Sequence, residues 1–208
     1  YAEAGREIVC FSISAGMSTS GNVMRLAAEE LGASDRIKVI DSANLSTGIG
    51  LLVVEAAIMA KNNRTASQIV SEIEKLKPNV RASFVVDTLT YLYRGGRCNA
   101  VAAMAGGVLK LHPRIVVEDG AMNASKKYRG KIASVVMNYV KDMEKDLKKA
   151  RPERVFITHS GCEQETVEKV RAYLKELDIF DEILETRAGG VVSSHCGPGT
   201  LGVLYIAK

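Results

Sequence analysis

The chain has 208 residues, 47% of them apolar and 25% charged, with a formal net charge of +4. That is enough apolar material for a sizeable core, as one large or two small domains. The mild basic surplus, with 5% aromatics and no Trp, lacks the broad basic stripe and stacking side chains of a nucleic-acid surface. No apolar run approaches the roughly 20 residues of a membrane span, and Tyr1 to Glu7 has no hydrophobic signal core. Cys10, Cys98, Cys162 and Cys196 form no C-x-x-C, so a zinc or thioredoxin-type motif has no support. A cytosolic protein without a disulfide framework is the expectation.

Glu7 to Ile13 (EIVCFSI) is short, apolar and β-branched, and reads as a buried strand. Gly21 to Leu31 spaces Val23, Leu26, Ala27 and Leu31 as a helix that ends at Gly32. Ile37 to Ile40 is a second strand, and Asp41-Ser42 begins a turn. Gly48 to Lys61 reads as a mostly apolar, buried helix. Thr65-Ala66-Ser67-Gln68 is a capping box opening an amphipathic helix to Leu76. Ala82 to Val86 is a third buried strand, and strand–helix–strand at this spacing predicts parallel pairing with right-handed crossovers.

Two short helices, Leu89 to Tyr93 and Cys98 to Leu111, flank a Gly95-Gly96 break. Pro113 to Glu118 is a strand and Asp119-Gly120 a hairpin turn signal. The basic cluster Lys126, Lys127, Arg129 and Lys131 reads as a solvated helix start. Lys131 to Ala150 follows as one long helix. Arg154 to His159, Glu182 to Thr186 and Gly202 to Ile206 are strands, with a helix over Glu163 to Leu177. The fold class is α/β in two lobes, 1–93 with a parallel sheet flanked by helices and 94–208 with a mixed sheet and helices.

Four segments could carry chemistry. Ser14-Ala15-Gly16-Met17-Ser18-Thr19-Ser20-Gly21 joins a strand end to a helix start, where free N–H groups and hydroxyls suit an anion. Ordinary capping by Ser18 or Ser20 is the equal alternative. The G-x-S-x-G elbow of a catalytic serine is missing. Arg94-Gly95-Gly96-Arg97 places arginines beside a bendable backbone, or is a plain helix–helix turn. His195-Cys196-Gly197-Pro198-Gly199-Thr200-Leu201-Gly202 matches G-x-G-x-x-G only formally, because a strand and not a helix follows. It reads as an extended tight loop that places His195, with Cys196 on the opposite side. Thr158-His159-Ser160-Gly161-Cys162 reads as loop and cap chemistry, and Asp87-Thr88 has similar status.

These pieces, with Gly48-Ile49-Gly50, Phe84-Val85-Val86-Asp87-Thr88-Leu89, Tyr91-Leu92, Pro113, Glu118-Asp119-Gly120 and Arg129, resemble the DegV family in the order seen there. The Gly-Gly-Arg turn and the His-x-Gly-Pro-Gly loop are the most specific. The resemblance implies a bacterial fatty-acid-binding protein of two α/β lobes with the ligand in a cleft between them. It also implies a non-catalytic role, in some members as the binding subunit that presents the acyl carboxylate to a separate kinase. No cofactor besides the bound fatty acid is implied, and neither nucleic acid nor membrane insertion. The implied ligand residues are Ser14, Gly16, Ser18, Ser20, Arg97, Arg129, His195 and Gly197, with Val101 to Leu111 as a candidate tunnel wall. Family members carry an upstream strand and a Thr/Ser-Pro-Ser-type loop, and the chain starts at what resembles the helix after it. Ala15-Gly16-Met17-Ser18-Thr19-Ser20 stands where the family reads Ser-Gly-Leu-Ser-Gly-Thr, which shifts the hydroxyls. The competing classes are a Ser18- or Cys196-dependent acyl hydrolase or transferase, which would need a base oriented by a carboxylate, and a regulatory domain with an empty pocket.

Overall fold

A computed structural model of the chain describes residues 4–96 and 111–208. Chain contacts divide it into two compact units. The first runs to Val80 and takes in Asp119–Ala121; the second comprises Arg81–Glu118 and Met122–Lys208.

The first unit is built on two parallel strands, β1 (Ile8–Ser12) and β2 (Ile37–Asp41), in register from Ile8↔Ile37 to Ser12↔Asp41. Helix α1 (Ser20–Glu30) connects them, and α2 (Ser46–Lys61) and α3 (Ala66–Leu76) follow. The capping box forms as the sequence predicts: Gln68 N donates to Thr65 Oγ1, and Thr65 N to Gln68 Oε1. Ile40, Leu51, Leu52, Ile69 and Ile73 form the core. The apolar residues of two helices are not all buried. On α1 the buried positions are Gly21 and Ala28, while Val23 and Leu26 are 60% and 58% exposed. A β-carbon at Gly21 would stand 2.7 Å from Ser12 Oγ, so the helix lies close to β1 through its smallest residue and its larger side chains turn away. On α2, Val53 and Ile58 are likewise exposed; the helix is apolar all round but buried on one side only.

The second unit holds a six-stranded sheet of order β5-β4-β3-β8-β6-β7. Its strands are β3 (Val80–Val85), β4 (Leu111–Glu118), β5 (Ala121–Arg129), β6 (Ala150–Ser160), β7 (Glu182–Arg187) and β8 (Thr200–Ala207). β3 pairs antiparallel with β4, β6 antiparallel with β8 and β6 parallel with β7. The sheet is therefore mixed. β3, and with it α4 (Thr90–Arg94), belongs to this unit and not to a 1–93 lobe, because its backbone bonds go to β4 and β8. β8 can lie against β3 because of Gly202, where a β-carbon would stand 2.8 Å from the Ser83 carbonyl.

The cluster Lys126, Lys127, Arg129 and Lys131, expected at a solvated helix start, lies instead on and just beyond the edge strand β5, which follows the hairpin turn at Asp119-Gly120. Lys126 pairs there with Asp142. The expected long helix is two, α5 (Ile132–Asp142) and α6 (Glu144–Leu147), and Ala150 opens β6. Helix α7 (Gln164–Glu176) matches its prediction, and α8 (Gly190–Cys196) replaces the expected loop. Val136 and Tyr139 of α5, Val170 and Leu174 of α7, and Ile157 and Val203 of the sheet lie in one buried cluster. Among the described residues, no helix is long and apolar enough to cross a membrane.

Candidate ligand site

In the first unit the chain leaves β1 and turns at Ser14. Its amide donates to the Asn44 carbonyl, and its own carbonyl accepts from Met17 N and Ser18 N at 2.9 and 3.1 Å. Ser14 Oγ donates to the Gly120 carbonyl at 2.6 Å and accepts from Gly16 N at 3.2 Å. A hydroxyl has one proton, so this buried serine braces the loop through the donor it has. The approach needs glycines: a β-carbon at Gly16 would meet the Gly120 carbonyl at 2.9 Å, and one at Gly120, where φ is +74°, would meet Ser14 Oγ at 2.7 Å. Asp41 ties the loop to β2, its carboxylate accepting from Ala43 N at 2.9 Å and Ala15 N at 3.2 Å.

Ser18 and Ser20 differ from Ser14. Their hydroxyls are 2.8 Å apart, and Ser20 N donates to Ser18 Oγ at 3.2 Å. One of the two hydroxyl protons closes that mutual bond; the other can be given outward. Both residues stand at the start of α1, whose N-cap, Thr19, makes no side-chain cap bond and whose first turn carries no acid. The positive end of the helix dipole and an available hydroxyl proton therefore coincide there. Capping and anion binding, open alternatives in the sequence, are compatible in the structure, because Ser18 does part of the first while the pair retains a donor.

In the second unit α4 and α8 carry the other candidates. His195 lies on the last turn of α8 with its ring against Gly95: a β-carbon there would stand 1.9 Å from His195 Nδ1. Gly197 ends α8 at φ +79°, where a β-carbon would fall 2.2 Å from the Tyr91 ring. These glycines are packing devices that let the Gly-Gly turn and the His-Cys-Gly-Pro-Gly segment touch. Because that segment is helical at its start, Cys196 is about 100° around the helix from His195 and not on the opposite side of an extended chain. The Cys196 thiol is buried, and desolvation pushes its pKa up to about 11; Cys162 is raised likewise to about 11.

Arg129 is exposed at the end of β5, not at the opening of a helix, since α5 starts at Ile132 with Lys131 as its N-cap. Arg97 and all of the candidate wall Val101 to Leu111 except Leu111, which opens β4, lie outside the described residues. His159 of the Thr158–Cys162 segment is a brace: its Nδ1 accepts from Cys162 N at 3.4 Å, and Nε2 faces Glu185 Oε1 at 3.4 Å. His112, which the sequence did not single out, is buried with Nε2 3.0 Å from the Gly130 carbonyl and Nδ1 3.3 Å from Asp87 Oδ1. No motif marks it, but its place one residue before Pro113 at a strand start was a signal available in the sequence. Among the described residues, no group of three or more His, Cys, Asp or Glu is placed to hold a metal ion.

Comparison with known proteins places this geometry. The sequence model of the DegV family, described as uncharacterised proteins, matches residues 1–208. DegV domain-containing proteins of Deinococcus radiodurans and Clostridium perfringens are each 32% identical to the chain, over 98% and 99% of it respectively, and in both cases over 72% of the relative. A DegV family protein from Thermus thermophilus, solved for its fatty acid binding, matches with a TM-score of 0.88 at 26% identity. The match covers 100% of this chain and 74% of that one. DegV of Bacillus subtilis, a fatty acid binding protein, matches at 0.78 and 27% identity over 97% of this chain and 71% of that one. A stearic-acid-binding protein from Eubacterium ventriosum matches at 0.81 and 27% identity over 100% and 72%. With a family model matching from end to end and the same fold in its solved members, the chain belongs to the DegV family.

Proposed function

We propose that this protein binds a long-chain fatty acid without transforming it and presents the carboxylate to a separate kinase. The observation that carries the reading is the Ser18–Ser20 hydroxyl pair at the acid-free start of α1, where the N-cap Thr19 makes no side-chain cap bond, in a chain whose fold is that of fatty-acid-binding family members. A buried carboxylate has to be hydrogen-bonded, and this helix start supplies both a hydroxyl proton and the dipole. Gly16 shapes that loop, and Ser14 holds it from behind. Arg129, His195 and Gly197 of the second unit, together with Arg97, are assigned to ligand binding on the family resemblance alone. The tail contributes most of the affinity, at roughly 0.8 kcal/mol per buried CH₂. A thiolate nucleophile at Cys196 is disfavoured by its raised pKa, so no observation favours the hydrolase reading.

Native mass spectrometry of the purified protein tests this. The expected result is a non-covalent adduct with the mass of an intact fatty acid, replaced by oleate after delipidation. Absence of any adduct together with no oleate binding overturns the proposal, and a covalent acyl adduct would point to catalysis. Kinase presentation is tested separately, by acyl phosphate formation when a bacterial fatty-acid kinase subunit and ATP are added to the loaded protein.

A further inference from the structure

Ser14 is the hub of the loop that leads into α1. Its carbonyl accepts from Met17 N at 2.9 Å and from Ser18 N at 3.1 Å, and its hydroxyl oxygen accepts from Gly16 N at 3.2 Å. Three consecutive amides, the last of them that of Ser18, therefore end on one residue. Ala15 N goes to Asp41 instead, and Ser20 N to Ser18 Oγ. A hydroxyl oxygen offers its lone pairs only in the directions its proton leaves open. The Ser14 proton goes to the Gly120 carbonyl at 2.6 Å, so Gly120 fixes the lone pair that Gly16 N meets. Ser14 is only 2% exposed, and solvent does not compete for that proton. Gly120 stands in a turn with φ of +50° at Asp119 and +74° at Gly120 itself, and Asp119–Ala121 belong to the first unit together with the loop. The fit leaves no slack: a β-carbon on Gly120 would meet Ser14 Oγ at 2.7 Å and Ala43 at 3.8 Å, and one on Gly16 would meet the Gly120 carbonyl at 2.9 Å. A loop that adjusts on taking a ligand has to move against this turn.

We propose that Gly120 is a positioning residue for the fatty-acid head group: by taking the proton of Ser14 it sets the loop so that the Ser18–Ser20 pair is held with a donor to give. The inference rests on the fatty-acid reading above. By linkage the effect runs both ways. Whatever Gly120 contributes to holding the ligand, the ligand returns to the contact between Gly120 and Ser14, so the turn at residues 119–121 responds to occupancy of a site it does not itself form. The Gly120 contact joins a neutral hydroxyl to a backbone carbonyl, so it acts through geometry and not through charge.

The test measures binding of dansyl-labelled undecanoate at submicellar concentration, under conditions where circular dichroism shows each variant folded, and NMR of isotope-labelled protein. S14A is expected to raise the dissociation constant about fivefold, the lower end of ordinary couplings between sites. G120A, whose methyl group would displace Ser14 Oγ, is expected to weaken binding as well. The S14A/G120A double variant should bind no worse than the weaker single, because both changes break one contact. Y139F removes a buried hydroxyl from the second unit and is expected to keep the wild-type affinity, which separates positioning from a general loosening of the fold. In the wild type, saturating probe is expected to shift the Gly120 and Ala121 amide resonances together with those of Gly16 and Ser18; in S14A the Gly120 and Ala121 resonances should stay in place. A wild-type dissociation constant in S14A, equal losses of affinity in S14A and Y139F, or wild-type Gly120 and Ala121 amides indifferent to the probe overturns the positioning role while the fatty-acid reading stands. Absence of probe binding to the wild type overturns that reading, and the positioning role with it. If S14A or G120A fails to fold, the wild-type response of Gly120 and Ala121 decides.

Discussion

The imidazole of His195 rests on the α-carbon of Gly95, so closely that a β-carbon there would come within 1.9 Å of Nδ1. Gly95 has an ordinary helical φ of −76°, so its need for glycine is steric. Gly95→Ala is expected to displace the ring and cost about 1–3 kcal/mol, the scale of overpacking. Urea denaturation of Gly95→Ala, His195→Ala and the double variant checks this. The double variant should be more stable than additivity predicts, because the two changes share one contact.

The serines of the first loop should separate into two kinds. Ser14→Ala leaves the buried Gly120 carbonyl without its donor and is expected to lower stability by about 1–3 kcal/mol. Ser18→Ala and Ser20→Ala remove exposed hydroxyls and should leave the denaturation midpoint nearly unchanged while weakening fatty-acid affinity. Paired denaturation and ligand titration give both readouts. Equal stability losses in all three variants would remove the distinction drawn between brace and ligand donor.

Tyr139 is a buried polar node. Its hydroxyl donates to the Ser83 carbonyl at 2.7 Å, accepts from Val203 N at 3.0 Å and lies 3.0 Å from Ser83 Oγ. Tyr139→Phe should cost about 1–3 kcal/mol because two backbone groups lose their partner, with circular dichroism unchanged. Thermal and urea unfolding measure it, and a neutral effect would mean that water takes over the bonds.

Glu185 gives the second unit an acid-sensitive contact. The hydrogen bond from Arg171, 2.6 Å from Oε2, holds its carboxyl below the usual value of 4.5, against a desolvation that pushes the other way and with help from His159. A carboxyl depressed in the folded state contributes stability that is present at neutral pH and lost as pH falls through its folded pKa. Stability should therefore drop between pH 5 and pH 3 less steeply in Glu185→Gln than in the wild type, as read from urea midpoints along a pH series.

Local pattern was legible wherever one period dominated. The strands at Ile8, Ile37, Arg154 and Gly202 were continuous apolar runs, and Thr65 to Gln68 announced its helix by a capping interaction confined to four residues. β5 was hidden because its edge position leaves Ser125, Lys126 and Lys127 all exposed, which breaks the alternation that marks a strand. α8 was hidden because Gly190-Val191-Val192-Ser193-Ser194 has little intrinsic helix preference and forms by packing against α4. Residues 14–20, 129 and 195 were legible as candidates from composition and family pattern. Their roles depended on partners far along the chain: Ser14 on Gly120, 106 positions away, His195 on Gly95, and His112 on Asp87 and Gly130. The sequence by itself determined the α/β class, the family and most elements, because these are set by neighbours within a few residues. Which serine proton is committed, which histidine is buried between acceptors and which sheet receives β3 were decided by tertiary structure, because a hydrogen bond or a strand pairing depends on distance in space and leaves no local trace.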